Sequence, residues 1–240
     1  HGASRHWSFL GWLGALALLC VLSFYSVVAG WALAYIVMTI KGSFVDVSAE
    51  KVNLLWEQLI SSPTQLLLWH TIFMLMTLVV VERGVEKGIE RASKIMMPLL
   101  FFILAFLSVY GMWAGDLKQA FGFLFGFKWQ DVSTSVMLSA LGHAFFTLAL
   151  GAGALLVYGA YLPKQTSITK SLAIVAILDT GVALLSGLAI FPIVFKYNLP
   201  PSEGYGLMYK ILPLSFSSLP FGQVIGGLFF LLLVFAAWTS

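Results

Sequence analysis

One acidic residue lies in the middle of a strongly apolar segment, where its chemistry suits a bound cation. Asp179 is in SLAIVAILDTGVALLSGLAIF, with no other charged residue within eight positions on either side. A carboxylate at the centre of a membrane span costs about 2.5–3.5 kcal/mol on insertion scales, so it must face protein or water and needs a partner. No apolar span carries a Lys or Arg, which leaves a bound cation, a proton or a residue outside this chain. A buried protonated Asp179 that only holds helices together is the structural alternative.

A second set of polar and flexible residues lies in GHAFFTLALGAGALLVYGAYLP, residues 142–163. His143 and Thr147 are four residues apart and therefore share one face of a helix. Gly151 and Gly153 follow, and they favour unwinding, which frees backbone groups that lipid cannot satisfy. This pattern fits a broken helix around a ligand. A packing histidine, a Thr bonded to its own helix and a seam of small residues explain the same positions without a site.

Further hydroxyl groups lie at membrane depth in other segments. Tyr25 is in the middle of the first apolar span, and Thr239 and Ser240 are consecutive at the end of the last. Each hydroxyl needs a partner where lipid offers none. Hydroxyl and carbonyl oxygens with one carboxylate are the ligands that a small hard cation prefers, so the set predicts a cation site.

The elements that position these residues are membrane spans. Hydrophobic residues make up 60% of the 240 residues and charged residues only 10%, a composition that no soluble domain of this size needs. Six apolar spans each approach or exceed the length that crosses a bilayer, and they lie at about 8–40, 64–81, 95–114, 136–162, 171–195 and 219–240. Their lengths and the lack of period-two alternation predict helices, hence an all-α polytopic membrane protein.

Charge and chain ends add three expectations. The net charge is +3 without a basic cluster, so we expect a lipid bilayer and no nucleic acid as partner. The loop 82–94, ERGVEKGIERASK, has four basic residues and is expected on the cytoplasmic side. The last apolar span is still within the membrane where the sequence stops, so we expect a fragment whose missing remainder completes the protein.

Four stretches resemble, in order, the neurotransmitter:sodium symporter family. GHAFFTLALGAG is similar to that family's broken sixth helix, whose pattern is close to GQxFFTLSLGxG. LSFYSVVAGWALAY resembles the third helix, RGVEKGIERASKIMMPLLF the inner loop and fifth helix, and LLVFAAWTS the eighth. The resemblance is to a bacterial leucine-transporter-like member and covers nearly the whole chain as helices three to eight. It implies part of an inverted-repeat fold in which the helix at 136–162 is broken at mid-membrane.

The resemblance implies one or two sodium ions and no organic cofactor. Thr147 and Asp179 match ligands of the family's first sodium site, where Asn often replaces Asp. Ligands of the second sodium site are matched by Ala236 through its carbonyl, and by Thr239 and Ser240.

The resemblance also implies a substrate site and a gate. Tyr25 matches the tyrosine whose hydroxyl holds the substrate carboxylate, and Tyr161 matches the inner-gate tyrosine. The positions that match the pocket wall, by side chain or backbone, are Val21, Phe146, Ala149, Gly151, Ala152 and Gly153. Because Ala149 and Ala152 are smaller than the residues many members carry, we expect a bulky apolar or aromatic amino acid as substrate.

The function so implied is sodium-coupled amino-acid symport by alternating access in a bacterial cell membrane, without enzymatic chemistry. Chloride-dependent members carry a serine one turn after the position of Asp179, whereas this chain has Ala183. If Asp179 supplies the negative charge itself, chloride is not needed. We expect the fragment alone to be inactive. Two alternatives remain: a proton relay or channel that uses His143 and Asp179, and a structural fragment without activity.

Overall fold

The computed structural model describes residues 8–150, 155, 159, 166–201 and 204–240. The described residues form helices and turns without a β-strand, which confirms the predicted all-α fold. Along the described chain the α-helices are α1 (Ser8–Ile40), α2 (Ala49–Ile60), α3 (Pro63–Val81), α4 (Arg91–Ala114), α5 (Leu117–Phe125), α6 (Thr134–Thr147), α7 (Ile168–Lys196), α8 (Leu212–Ser217) and α9 (Gly222–Thr239). Shorter helical turns lie at Val85–Glu90, Trp129–Asp131 and Leu207–Ile211.

Five helical segments of the described chain are long and apolar enough to cross a membrane, so this is a multi-pass membrane protein. They are Phe9–Ile40, Pro63–Val81, Gly88–Ala114, Ile168–Lys196 and Gly222–Thr239. The sixth predicted span, 136–162, includes most of α6, whose 14 residues end at Thr147, inside the segment predicted to be broken. The rest of that span runs into residues outside the described part, among them Gly151, Ala152, Gly153 and Tyr161.

The chain divides into two compact units. The first unit contains residues 1–24 and 125–184, and the second contains residues 25–124 and 185–240. The long helices α1 and α7 contribute residues to both units.

Aromatic residues form much of the core of the second unit. Tyr35 on α1 stacks on Phe44, with ring centroids 5.2 Å apart, and meets Tyr209 edge-on at 4.9 Å. The Tyr35 hydroxyl donates to the Tyr209 carbonyl at 2.9 Å, and the Tyr209 hydroxyl donates to the Val28 carbonyl at 3.1 Å. Burial raises the pKa of the Tyr209 phenol, which therefore remains a donor at physiological pH. The turn Leu207–Ile211 is thus fixed on α1 by packing and by two hydrogen bonds.

Small residues let α4 and the second half of α7 approach closely, also within the second unit. The Ser108 hydroxyl donates to the Leu185 carbonyl at 2.8 Å. A Cβ on Gly111 would lie 2.7 Å from the Ala189 carbonyl oxygen, so only glycine fits there. This close contact fixes the second half of α7 against α4.

Candidate functional site

The side chains of Thr147 and Asp179 meet in the first unit. Thr147 is the last residue of α6, and Asp179 lies in the first half of α7. The Thr147 hydroxyl is 2.9 Å from one carboxylate oxygen of Asp179 and 3.1 Å from the other, and it donates its proton to them. A hydroxyl has one proton and two lone pairs, so this donation leaves lone pairs for a cation. Two segments 32 residues apart in sequence therefore present adjacent oxygen ligands.

The hydroxyl next to Asp179 on its own helix behaves differently. The Thr180 hydroxyl donates to the Ala176 carbonyl at 2.9 Å, which is the ordinary backbone bond of a threonine within a helix. Thr147 has its hydrogen bond to the carboxylate instead. The alternative in which Thr147 bonds only its own helix therefore does not describe this residue.

Helix α6 ends at Thr147 in a left-handed cap formed by an alanine. Ala149 has φ +51°, Leu150 N–H donates to the Phe145 carbonyl at 2.9 Å, and Ala149 N–H donates to the Phe146 carbonyl at 3.0 Å. These two bonds form a Schellman motif, in which glycine is the usual left-handed residue. The helix therefore ends before Gly151, and the break begins one residue after the hydroxyl that meets Asp179.

The part of the chain that the structure describes offers Asp179 no cationic partner. The ion pair found among the described residues joins the exposed side chains of Lys94 and Glu90. Among the described residues, the side-chain partner of this half-buried carboxylate is the Thr147 hydroxyl. This environment has the charge and the ligand chemistry for one small hard cation.

A second cluster of oxygens lies at the end of α9, in the second unit. The Ser240 hydroxyl donates to the Ala236 carbonyl at 2.7 Å, and the Thr239 hydroxyl lies 3.2 Å from the same carbonyl and 2.8 Å from that of Phe235. The three residues matched to a second sodium site thus share one carbonyl oxygen. Both hydroxyl protons are bound to carbonyls, and the lone pairs remain for a ligand.

The remaining candidate residues within the described part of the chain lie on the expected helices. Val21 and Tyr25 are one turn apart on α1, with Val21 exposed and Tyr25 half-buried. Phe146 precedes Thr147 and is 71% exposed. His143 lies one turn before Thr147 and is exposed, and Asp179 has its hydrogen bond from Thr147.

Sequence reasoning did not find the conformation of Ala149. It placed the break at Gly151 and Gly153, because glycine most readily adopts the backbone conformations that end a helix. Alanine is the best helix former, so its residue type carries no signal for a left-handed cap. The hydrogen bond between Thr147 and Asp179 was not predicted either, although both residues were proposed as ligands of one ion.

The fold and the site define a class: a multi-pass helical membrane protein in which one helix ends beside an intramembrane carboxylate. The profile described as "Sodium:neurotransmitter symporter family" matches residues 49–240, and the chain belongs to that family. The family is one of transporters and not of enzymes.

Two relatives show how much of a whole transporter the chain spans. It is 42% identical over 234 residues to the sodium-dependent transporter YhdH of Bacillus subtilis. The alignment covers 98% of this chain and 52% of the relative. It is 30% identical over 260 residues to the sodium-dependent transporter MJ1319 of Methanocaldococcus jannaschii, covering 96% and 50%. The chain therefore spans about half the length of the curated relatives it matches.

The solved structures include a close match. The crystal structure of MhsT in complex with L-phenylalanine aligns with a TM-score of 0.87 at 41% identity, over 99% of this chain and 54% of that one. This likeness confirms that the chain has part of the expected leucine-transporter-type fold.

Proposed function

We propose that the chain is part of a sodium-coupled amino-acid symporter that works by alternating access in a bacterial cell membrane. The observation that carries the proposal is the Thr147 hydroxyl donating to both carboxylate oxygens of Asp179 where α6 ends. Relatives described as sodium-dependent transporters, one of them from Bacillus subtilis, support the ion, the activity and the membrane.

Sodium is held in two places in this proposal. Thr147 and Asp179 contribute a hydroxyl and a carboxylate to a first ion, whose charge the aspartate compensates. The Ala236 carbonyl and the hydroxyls of Thr239 and Ser240 contribute to a second. All of these ligands are oxygens, as sodium requires, and none is a ligand that favours a transition metal.

The substrate is proposed to be an amino acid with a bulky apolar or aromatic side chain. MhsT was crystallised with L-phenylalanine, which supports an aromatic amino acid for a chain this similar. Tyr25 would supply the hydroxyl for the carboxylate, Val21, Phe146 and Ala149 would line the pocket, and Tyr161 would form the inner gate. The positions proposed for the pocket beyond the described residues are Gly151, Ala152 and Gly153.

Chloride is proposed to be unnecessary. Ala183, one turn after Asp179 on α7, has neither a hydroxyl nor a charge. Asp179 already places a negative charge beside its sodium, so a chloride ion would add repulsion instead of compensation.

The binding of sodium and the binding of substrate are coupled, because both depend on the buried Asp179 charge being compensated and on the end of α6 being ordered. A sodium ion offsets the carboxylate charge and stabilises the break at Leu148–Leu150, beside which the substrate is bound. Sodium and substrate then increase each other's affinity by the same factor, because coupling is a free energy that both share. No covalent step is involved.

Uptake into proteoliposomes by the longer protein that contains this chain tests the proposal. We expect accumulation of radiolabelled phenylalanine with an inward sodium gradient, and none when potassium replaces sodium. Replacing chloride by gluconate should leave uptake unchanged, and excess tryptophan or leucine should compete better than glycine. Uptake without sodium would reject the coupling, loss of uptake in gluconate would reject chloride independence, and stronger competition by glycine would reject the substrate class.

A further inference from the structure

An exposed aromatic pair lies directly before the helix that carries Thr147. Phe127 and Trp129 are 68% and 80% exposed, and their rings meet edge-on with centroids 5.0 Å apart. Lys128 lies between them in sequence and is also exposed. All three belong to the first unit, as does α6.

The backbone around the pair is ordered by local hydrogen bonds. Asp131 N–H donates to the Lys128 carbonyl at 3.1 Å, and Val132 N–H donates to the Trp129 carbonyl at 3.2 Å, which closes the turn Trp129–Asp131. Ser133 then caps α6, its hydroxyl accepting from Val136 N–H at 3.3 Å. The aromatic pair is therefore connected to α6 through a turn and a cap, without a flexible linker.

The position of the pair along the chain corresponds to the edge of the membrane. The apolar residues Val136, Met137 and Leu138 follow the cap and are more than half exposed, as side chains that face lipid are. From Ser133 to Thr147 is 14 residues, which span about 21 Å at 1.5 Å per residue. That is about the distance from the headgroup region to the middle of a bilayer.

We propose that Phe127, Lys128 and Trp129 form an interfacial anchor that inserts its two rings into the headgroup region of the leaflet opposite the basic loop 82–94, from which the span Gly88–Ala114 separates them. Trp has an apolar body and an N–H donor, which is why it concentrates at membrane interfaces. The Lys128 ammonium, which lies in no ion pair within the described chain, complements the phosphate of a lipid. The anchor is continuous with the lipid-facing start of α6, and it holds Thr147 at mid-membrane depth.

Site-directed spin labelling of the longer protein tests the depth of the anchor. Native cysteines, Cys20 included, are replaced by serine, and a nitroxide is attached at Phe127→Cys, which leaves Trp129 and Lys128 in place. Asp131→Cys, at the other end of the same turn, is the matched control. The protein is reconstituted into phosphatidylcholine vesicles containing phosphatidylglycerol, and collisions with oxygen and with a water-soluble nickel chelate are measured.

We expect the ratio of oxygen to nickel accessibility to be several-fold higher at position 127 than at 131. Equal ratios would overturn the proposal, because the pair would then lie in water. Low accessibility to both reagents at 127 would overturn it too, since the rest of the chain would then cover the pair.

Variants at Lys128 test the lipid phosphate. With the label at 127, Lys128→Gln should lower the ratio in vesicles that contain phosphatidylglycerol, whereas Lys128→Arg should preserve it. Equal ratios in the two variants would overturn the role of the charge. The readout does not involve transport, so failure of this inference is separate from failure of the proposed function.

Discussion

The Thr147 hydroxyl donates its proton to one partner and has its lone pairs on the other side of the oxygen. Its proton is bound to the Asp179 carboxylate, at 2.9 and 3.1 Å from the two oxygens. Its lone pairs are therefore directed away from the carboxylate and suit a cation beside it. In the proposed sodium site, this hydrogen bond orients the carboxylate before the ion binds.

Removing this hydroxyl should weaken sodium binding, although the volume of the side chain stays nearly the same. Thr147→Val keeps the shape and removes both the donor and the ligand, and a hydrogen bond to a charged group contributes about 1.5–3 kcal/mol. We expect the half-saturating sodium concentration for uptake by the longer protein to rise about tenfold or more. Thr147→Ser is the matched control and should remain close to the parent. The same sodium dependence in both variants would contradict the ligand role, as would an unchanged value in Asp179→Ala.

Ala149 holds a backbone conformation that its side chain disfavours. An L-residue with a Cβ in the left-handed region costs about 1–2 kcal/mol relative to the right-handed one, and glycine avoids that cost. The residue is therefore a point at which the end of α6 is strained.

Ala149→Gly should raise the stability of the protein by about 1 kcal/mol. Ala140→Gly, within α6, is the same substitution at an ordinary helical position and should lower it by about 1 kcal/mol. The measurement is the thermal unfolding midpoint of the purified longer protein in detergent. If both substitutions lower the midpoint equally, Ala149 is not in the left-handed conformation in the folded protein.

At the scale of helices, the close contact of α4 with α7 fixes the part of α7 that begins at Leu185. Ser108 and Gly111 are three residues apart on α4, and they meet the Leu185 and Ala189 carbonyls of α7. Lipid provides no hydrophobic force between helices, so such contacts depend on small residues and hydrogen bonds. A larger side chain would separate the two helices.

Gly111→Ala should therefore destabilise the protein. A Cβ at this position would lie 2.7 Å from the Ala189 carbonyl oxygen, and overpacking of this kind costs about 1–3 kcal/mol. Gly122→Ala on α5 is the control, because a Cβ there would meet no atom within 4 Å apart from its chain neighbours and its own helix backbone. The unfolding midpoint should fall for Gly111→Ala and stay or rise for Gly122→Ala. Equal midpoints would show that the two helices are not in close contact.

At the scale of the whole molecule, this chain corresponds to half of a transporter. It covers 52% and 50% of two curated relatives and 54% of the MhsT chain. In inverted-repeat transporters one part of the molecule moves against another around the site. Half of such a transporter therefore lacks the part against which it moves.

Residues 1–240 alone should not transport. Proteoliposomes with only these residues should show no sodium-driven uptake of phenylalanine, whereas the longer protein should accumulate it. Oriented circular dichroism of aligned bilayers prepared from the same vesicles checks that the helices have inserted. Sodium-driven uptake by residues 1–240 would contradict this expectation and the requirement for both halves.

Much of the fold was available from the sequence, because lipid restricts a spanning chain to few structures. Long apolar segments without alternation have to be helices, and the ends of α3, α4 and α9 lie within a few residues of the predicted spans. Thr147 and Asp179 were recognisable because polar residues at membrane depth are costly and must have a reason to be there. The family pattern around them then assigned both to one ion.

The sequence by itself determined that the chain is a multi-pass helical membrane protein, which polar residues need partners, and which family its motifs resemble. Only the tertiary structure decided that the Thr147 hydroxyl binds both oxygens of Asp179 and that α6 ends at an alanine. The physical reason is that hydropathy and residue type are local properties of the chain. A hydrogen bond between residues 32 positions apart, and a left-handed turn at a good helix former, depend on how separate segments pack.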